Sequence, residues 1–90
     1  MTEPAHLDGN MLGGPLAELF TVDLSAATGR CEGCGRVGPM AGLRVYCQAP
    51  GLVGRCPACS RVMLRLVRTP DRAWLDLRGT SYLAVPMPPP

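Results

Sequence analysis

The sequence contains no lysine, a single histidine and few rings: Phe20, Tyr46, Trp74 and Tyr82 are the aromatic residues of a 90-residue chain. Each shortage narrows the reading. So few rings leave leucine, valine, alanine and methionine to build a small core, which is marginal alone at one-domain length. His6 lies in a polar leading segment and offers little toward catalysis or metal binding. No Ser-His-Asp set, phosphate-binding glycine loop or paired carboxylates at helical spacing stands out, so no enzyme is expected. No run of about 18 apolar residues occurs, so no membrane span is expected. Met1 to Asn10 is polar and contains Pro4, unlike a secretory signal, and a reducing cytoplasm is the expected setting. Arginine supplies every basic residue. With many alanines, glycines and prolines, this matches the codon usage of a high-GC genome, so arginine number alone argues little about a partner.

What is present is cysteine in pairs. Cys31-Glu32-Gly33-Cys34 and Cys56-Pro57-Ala58-Cys59 are two C-x-x-C steps with 21 residues between them. Two sulfurs three positions apart on a tight turn can face one ion, and a second turn completes a tetrahedron. The reading is a structural zinc site on Cys31, Cys34, Cys56 and Cys59, closed to water and substrate. Iron in a rubredoxin-like site uses the same ligands and is the alternative metal. A redox dithiol is disfavoured, because a strand-like run and not a helix follows Cys59. Structural zinc is worth roughly 10–16 kcal/mol in small finger peptides, comparable to the whole stability of an ordinary domain, roughly 5–15 kcal/mol. Folding and metal binding are expected to be one event.

The expected layout is a flexible start at 1–7, one domain over 8–79 and a Pro-rich flexible tail over 80–90. Asp8 offers an N-cap, and Leu12, Leu16, Leu19 and Phe20 form one apolar stripe, which predicts a helix over 10–20. A short strand ends near Arg30, and Val37 to Gly42 is read as loop. Gly33 and Gly35 suit the first knuckle, where positive φ is often needed. Leu43 to Gln48 alternates, Ala49-Pro50-Gly51 is a turn, and Leu52 to Arg55 leads into the second knuckle. Arg61 to Arg68 is a strand with Val62, Leu64 and Leu66 on one face and Met63, Arg65 and Val67 on the other. Ala73 to Arg78 is its partner. A two-residue loop at Pro70-Asp71 opposes Leu66 to Leu75, Leu64 to Leu77, Arg65 to Asp76 and Val67 to Trp74. The predicted fold is a small α+β metal-bound domain: a zinc-ribbon sheet of about five short antiparallel strands with one N-terminal helix.

Charge is unevenly spread. Residues 1–29 hold Glu3, Asp8, Glu18 and Asp23 and no arginine, whereas residues 30–90 hold nine arginines against Glu32, Asp71 and Asp76. Four thiolates with a divalent ion add −2, which takes the formal charge of +2 to about zero. Arg65, Arg68, Arg72, Trp74 and Arg78 are the candidate partner face. Two readings compete there. One is a solvated face with an Arg65–Asp76 pair and an arginine over Trp74. The other is a nucleic-acid surface, with arginines on phosphates and Trp74 on a base. Cys47 shares strand parity with Leu43 and Val45, so a buried core thiol is expected. A substitute ligand or redox-sensitive thiol is the sharper alternative.

Several stretches carry a resemblance: Leu7-Asp8-Gly9-Asn10, Gly14-Pro15-Leu16-Ala17-Glu18, Ala26-Ala27-Thr28-Gly29-Arg30-Cys31, Arg55-Cys56-Pro57, Leu64-Arg65-Leu66-Val67-Arg68-Thr69 and Trp74-Leu75-Asp76-Leu77-Arg78-Gly79. Over roughly residues 6–79 the chain resembles an uncharacterised family of small zinc-ribbon proteins of high-GC, actinobacterial-type bacteria, a domain of unknown function. The resemblance implies the metal-ribbon fold and carries over no activity. A non-catalytic zinc module docking on a protein is the first expectation. A nucleic-acid binder linked to transcription or translation machinery is the alternative, and an iron–thiolate electron carrier comes third.

Overall fold

A computed structural model describes residues 7–12, 23–48, 51–87 and 89. These form strands β1 (Leu7–Asp8), β2 (Thr28–Cys31), β3 (Val37–Pro39), β4 (Arg44–Gln48), β5 (Gly51–Arg55), β6 (Val62–Thr69), β7 (Arg72–Asp76) and β8 (Thr80–Ala84). A five-stranded antiparallel sheet has the order β1-β4-β5-β6-β7, and a three-stranded one the order β3-β2-β8. Short 3-10 turns at Gly9–Leu12, Leu24–Ala26 and Met40–Gly42 join them. Among the described residues no helix is long and apolar enough to cross a membrane.

Among the described residues the architecture is therefore all-β, with eight strands, which corrects the expected α+β ribbon of about five strands; residues 10–12 of its predicted N-terminal helix belong to a 3-10 turn. Asp8 does cap the element that follows, but that element is a 3-10 turn over Gly9–Leu12 and not the start of an α-helix. Its carboxylate accepts from the backbone N–H and the side-chain amide of Asn10, both at 2.8 Å. The bond to the N–H two residues on is an N-cap contact, and it opens the 3-10 turn. The turn delivers Leu12, fully buried, into the core. The rest of the predicted helix, residues 13–20, lies outside the described residues.

The register of the β6–β7 hairpin follows the pattern of its side chains. Arg65 opposes Asp76, Leu66 opposes Leu75 and Val67 opposes Trp74. The ladder stops at the Arg65–Asp76 pair, so the expected Leu64–Leu77 pairing is not part of it. Past Asp76 the chain turns to build β8, so Thr80–Ala84 of the expected tail over 80–90 lie in a strand. Thr80 to Ala84 pairs with β2 from Cys31 to Thr28, and Leu83 packs on the core. Gly79 permits that turn by lying flush on the Val62 carbonyl, where a β-carbon has no room. The Thr80 hydroxyl then donates to the Met63 carbonyl at 2.7 Å.

Met63 was expected on the outer face with Arg65, yet it is buried. Gly54 opposes Leu64 and Arg55 opposes Val62, so Met63 is an extra residue on β6. A bulge of this kind re-aims its side chain. Here it turns inward, near Met40 and Leu83 around Gly29 of β2. The core thus spans both sheets, with Leu24, Met40 and Leu43 from the connecting turns and Val45, Leu52, Leu64 and Leu66 from the five-stranded sheet. The predicted loop at 37–42 is β3 followed by the Met40–Gly42 turn, which buries Met40.

Candidate metal centre

Each sheet contributes one tight turn to the same place. β2 brings in Cys31 and β3 carries the chain away; β5 leads to Cys56 and β6 carries the chain away. The two turns have matching backbone bonds. The Cys31 N–H donates to the Arg36 carbonyl at 2.8 Å, and the Gly35 N–H to the Cys31 carbonyl at 2.9 Å. In the second turn the Cys56 N–H donates to the Arg61 carbonyl at 2.8 Å, and the Ser60 N–H to the Cys56 carbonyl at 2.9 Å. Gly35 and Ser60 close the turns at φ 79° and 67°. Gly33, expected to need positive φ, instead gives up space: the Arg61 side chain lies where its β-carbon would be.

The four sulfurs of Cys31, Cys34, Cys56 and Cys59 lie within 4.8 Å of one another. Cys31 Sγ is 3.7 Å from Cys59 Sγ, and Cys34 Sγ is 3.7 Å from Cys56 Sγ. A tetrahedral ion with metal–sulfur bonds of about 2.3 Å needs sulfur–sulfur edges of about 3.8 Å. The spacing therefore fits a four-thiolate metal site. Cys31 and Cys56 are fully buried, while Cys34 and Cys59 are exposed.

Electrostatics point the same way. Burial pushes the Cys31 thiol up, but the N–H groups of Cys34 and Gly33 and the sulfurs of Cys59 and Cys34 outweigh it and lower it to about 7. Cys59 accepts a lowering bond from the Arg61 N–H. Desolvation and the sulfurs of Cys31, Cys34 and Cys56 nevertheless raise it to about 11. Sulfurs packed this closely resist ionising together unless a cation offsets their charge.

The remaining candidate residues separate. Arg65, Arg72 and Trp74 share the outer face of the five-stranded sheet. Arg68 opposes Ala73 and falls on the other parity. Arg78 clasps Asp76, with Nε and Nη2 donating to its carboxylate at 2.6–3.1 Å. Asp76 thus pairs with Arg78, not with Arg65 as its cross-strand position suggested. Arg78 and, more weakly, Arg65 hold the Asp76 carboxyl down at about 2. Arg72 does lie over the Trp74 ring, 5.9 Å from its centroid. Cys47 is exposed, which corrects the expected core thiol. It lies two positions beyond Val45, and β1 covers β4 only as far as Val45.

Sequence reading missed a repeat: Arg30-Cys31-Glu32-Gly33-Cys34-Gly35-Arg36 matches Arg55-Cys56-Pro57-Ala58-Cys59-Ser60-Arg61 in its arginines as well as its cysteines. The flanking arginines brace the turns. Arg55 Nη1 donates to the Ser60 carbonyl at 2.8 Å, and Arg30 Nη1 to the Ser81 hydroxyl at 3.1 Å. That hydroxyl in turn donates to the Glu32 carboxylate. Comparing the full heptapeptides, and not only the cysteines, carries this signal.

Searches of curated proteins and of solved structures each return no match for this chain. A family model does match, over residues 3–88. With nearly the whole sequence covered, the chain belongs to the family of unknown function DUF6510.

Proposed function

We propose that this protein is a non-catalytic binding module whose structural zinc, held by Cys31, Cys34, Cys56 and Cys59, fastens the two sheets together. The observation that carries this reading is the pair of 3.7 Å sulfur–sulfur edges formed between cysteines of different turns. Each edge crosses from the β2–β3 turn to the β5–β6 turn, so one ion ties the small sheet to the large one. Four thiolates fill a tetrahedral ion, which leaves no open position for substrate. Zinc suits the site better than iron. Cys34 and Cys59 are exposed, and zinc does no redox chemistry that solvent contact could disturb. With the sheets fixed, the outer face of the five-stranded sheet is the surface offered to a partner.

The test is elemental analysis of protein purified from its native host without added metal, with absorption and circular dichroism spectra. One zinc per chain, no visible colour and loss of β structure on exhaustive chelation are expected. A red iron–thiolate spectrum would reassign the metal, and a metal-free folded protein would end the reading.

A further inference from the structure

Two arginines set the outer face of the large sheet apart. Arg44 of β4 and Arg55 of β5 stand directly opposite each other, and both are exposed. Like charges opposed across a ladder cost stability. Among the described residues neither forms an ion pair, and nor does Arg65, although Arg55 Nη1 donates to the Ser60 carbonyl at 2.8 Å. Asp8 stands opposite Arg44 but turns its carboxylate to Asn10.

The strand registers extend this face. Tyr46 opposes Val53, Val53 opposes Arg65, and Val67 opposes Trp74, with Arg72 two residues before Trp74 on the same side. Arg44, Arg55, Arg65 and Arg72 thus share one surface with Tyr46 and Trp74. Its central carboxylate, Asp76, is taken by Arg78. Asp71 meets Arg72 at 3.7 Å with both side chains exposed, a pair that solvent largely screens. Trp74 is 58% exposed. It borders an open groove of about 390 Å³, lined also by Arg65, Val67, Leu75, Leu77 and the Asp76–Arg78 pair.

We propose that this face binds a single nucleic-acid strand, with phosphates on Arg44, Arg55 and Arg65 and a base stacked on Trp74. The proposal rests on the zinc-fastened module described above and names its partner. Successive rows on the face lie about 7 Å apart along the strands, a step an unstacked nucleotide can span. An exposed ring requires an open base face, which a duplex keeps inside its own stack. An acidic protein surface would match the arginines but leave Trp74 without a stacking partner. The face differs from the one the sequence suggested: Arg44, Tyr46 and Arg55 join it, Arg68 leaves it, and Arg78 stays at its edge, engaged by Asp76.

The experiment titrates zinc-loaded protein into fluorescein-labelled oligothymidine and oligouridine of about 12 nucleotides. Anisotropy is read at several salt concentrations. Emission is followed in parallel with unlabelled oligonucleotide, and Trp74, the only tryptophan, reports stacking directly. Binding with quenched Trp74 emission is expected. Three phosphate contacts give a log–log salt slope of about −2. Arg65→Ala makes the slope shallower by about 0.7, and Trp74→Ala weakens binding roughly 5- to 150-fold. Zinc content and circular dichroism of each variant, unchanged from the parent, show that folding is not the cause. Folded, zinc-loaded protein that binds neither oligonucleotide overturns the proposal and leaves the metal reading standing. So does binding that both substitutions leave unchanged, or retention on polyglutamate alone, which would identify an acidic protein partner. Oligonucleotide binding by protein that proves metal-free would support the proposal and sink the metal reading.

Discussion

Gly35 and Ser60 occupy equivalent positions in the two cysteine turns and share the left-handed backbone conformation. Each N–H donates to the carbonyl of the first cysteine of its turn at 2.9 Å. Gly35 adopts this conformation freely, whereas the β-carbon of Ser60 costs about 1 kcal/mol there. Ser60→Gly is therefore expected to stabilise the zinc-loaded protein by about 1 kcal/mol, and Gly35→Ala to destabilise it by about as much. Urea unfolding at saturating zinc measures both. A neutral or destabilising Ser60→Gly would show that its hydroxyl has a use not accounted for.

Cys56 is fully buried, and its sulfur lies against that of Cys34. A serine there leaves three thiolates and a poor ligand. Because metal affinity is folding free energy in small metal-bound domains, Cys56→Ser is expected to unfold the chain, not merely weaken it. Circular dichroism after metal analysis checks this. Native β signal in a metal-free Cys56→Ser protein would mean that the core suffices alone.

The site was legible because its ligands are local: each C-x-x-C step fixes its own two sulfurs. The β6–β7 register was legible too, since alternation and a two-residue loop leave one pairing that matches leucine to leucine. The second sheet was not. Of its strands, β2 was expected near Arg30, but β3 is only three residues long, and β8 pairs with β2 about fifty residues away, from Arg30 to Tyr82. No local period reports such a contact. Met63 was misplaced for a related reason: a bulge breaks strand parity, and parity was the only guide. At Asp8 the cap was legible, since its carboxylate accepts from the Asn10 N–H, but the element it opens over Gly9–Leu12 is a 3-10 turn.

Gly79 is the hinge that non-local pairing requires. A β-carbon there collides with the Val62 carbonyl, and the Gly79 carbonyl itself accepts from the Glu32 N–H at 3.0 Å. Backbone cannot move aside as a side-chain tip can. Gly79→Ala is expected to cost about 1–3 kcal/mol, the range for overpacking. Urea unfolding of the zinc-loaded variant gives the value, and a loss below about 0.5 kcal/mol, typical of open surface sites, would place β8 elsewhere.

Cys47 is exposed, whereas Cys31 and Cys56 are buried in the four-cysteine cluster. Metal-bound thiolates react slowly compared with a free, accessible thiol. Iodoacetamide is expected to add one group to the zinc-loaded protein, at Cys47, and five after chelation, the full cysteine count. Mass spectrometry of the intact chain and its peptides reads both numbers. A zinc-loaded protein that resists alkylation at Cys47 would place that thiol under cover.

Arg65 and Arg78 compete for Asp76 in principle, and Arg78 wins through direct hydrogen bonds. Arg65→Ala is therefore expected to change stability by no more than about 0.5 kcal/mol, as at other exposed sites. Arg78→Gln acts on pH dependence instead. The Asp76 carboxyl is lowered from 3.8 to about 2 in the folded chain. Its contribution is thus complete above about pH 4 and lost as pH falls toward 2. Carboxyl carbon shifts of labelled protein should show Asp76 still ionised at pH 4. In Arg78→Gln its titration should move up toward 3.8. An Asp76 titration that moves with Arg65→Ala and ignores Arg78→Gln would reverse the assignment of the ion pair.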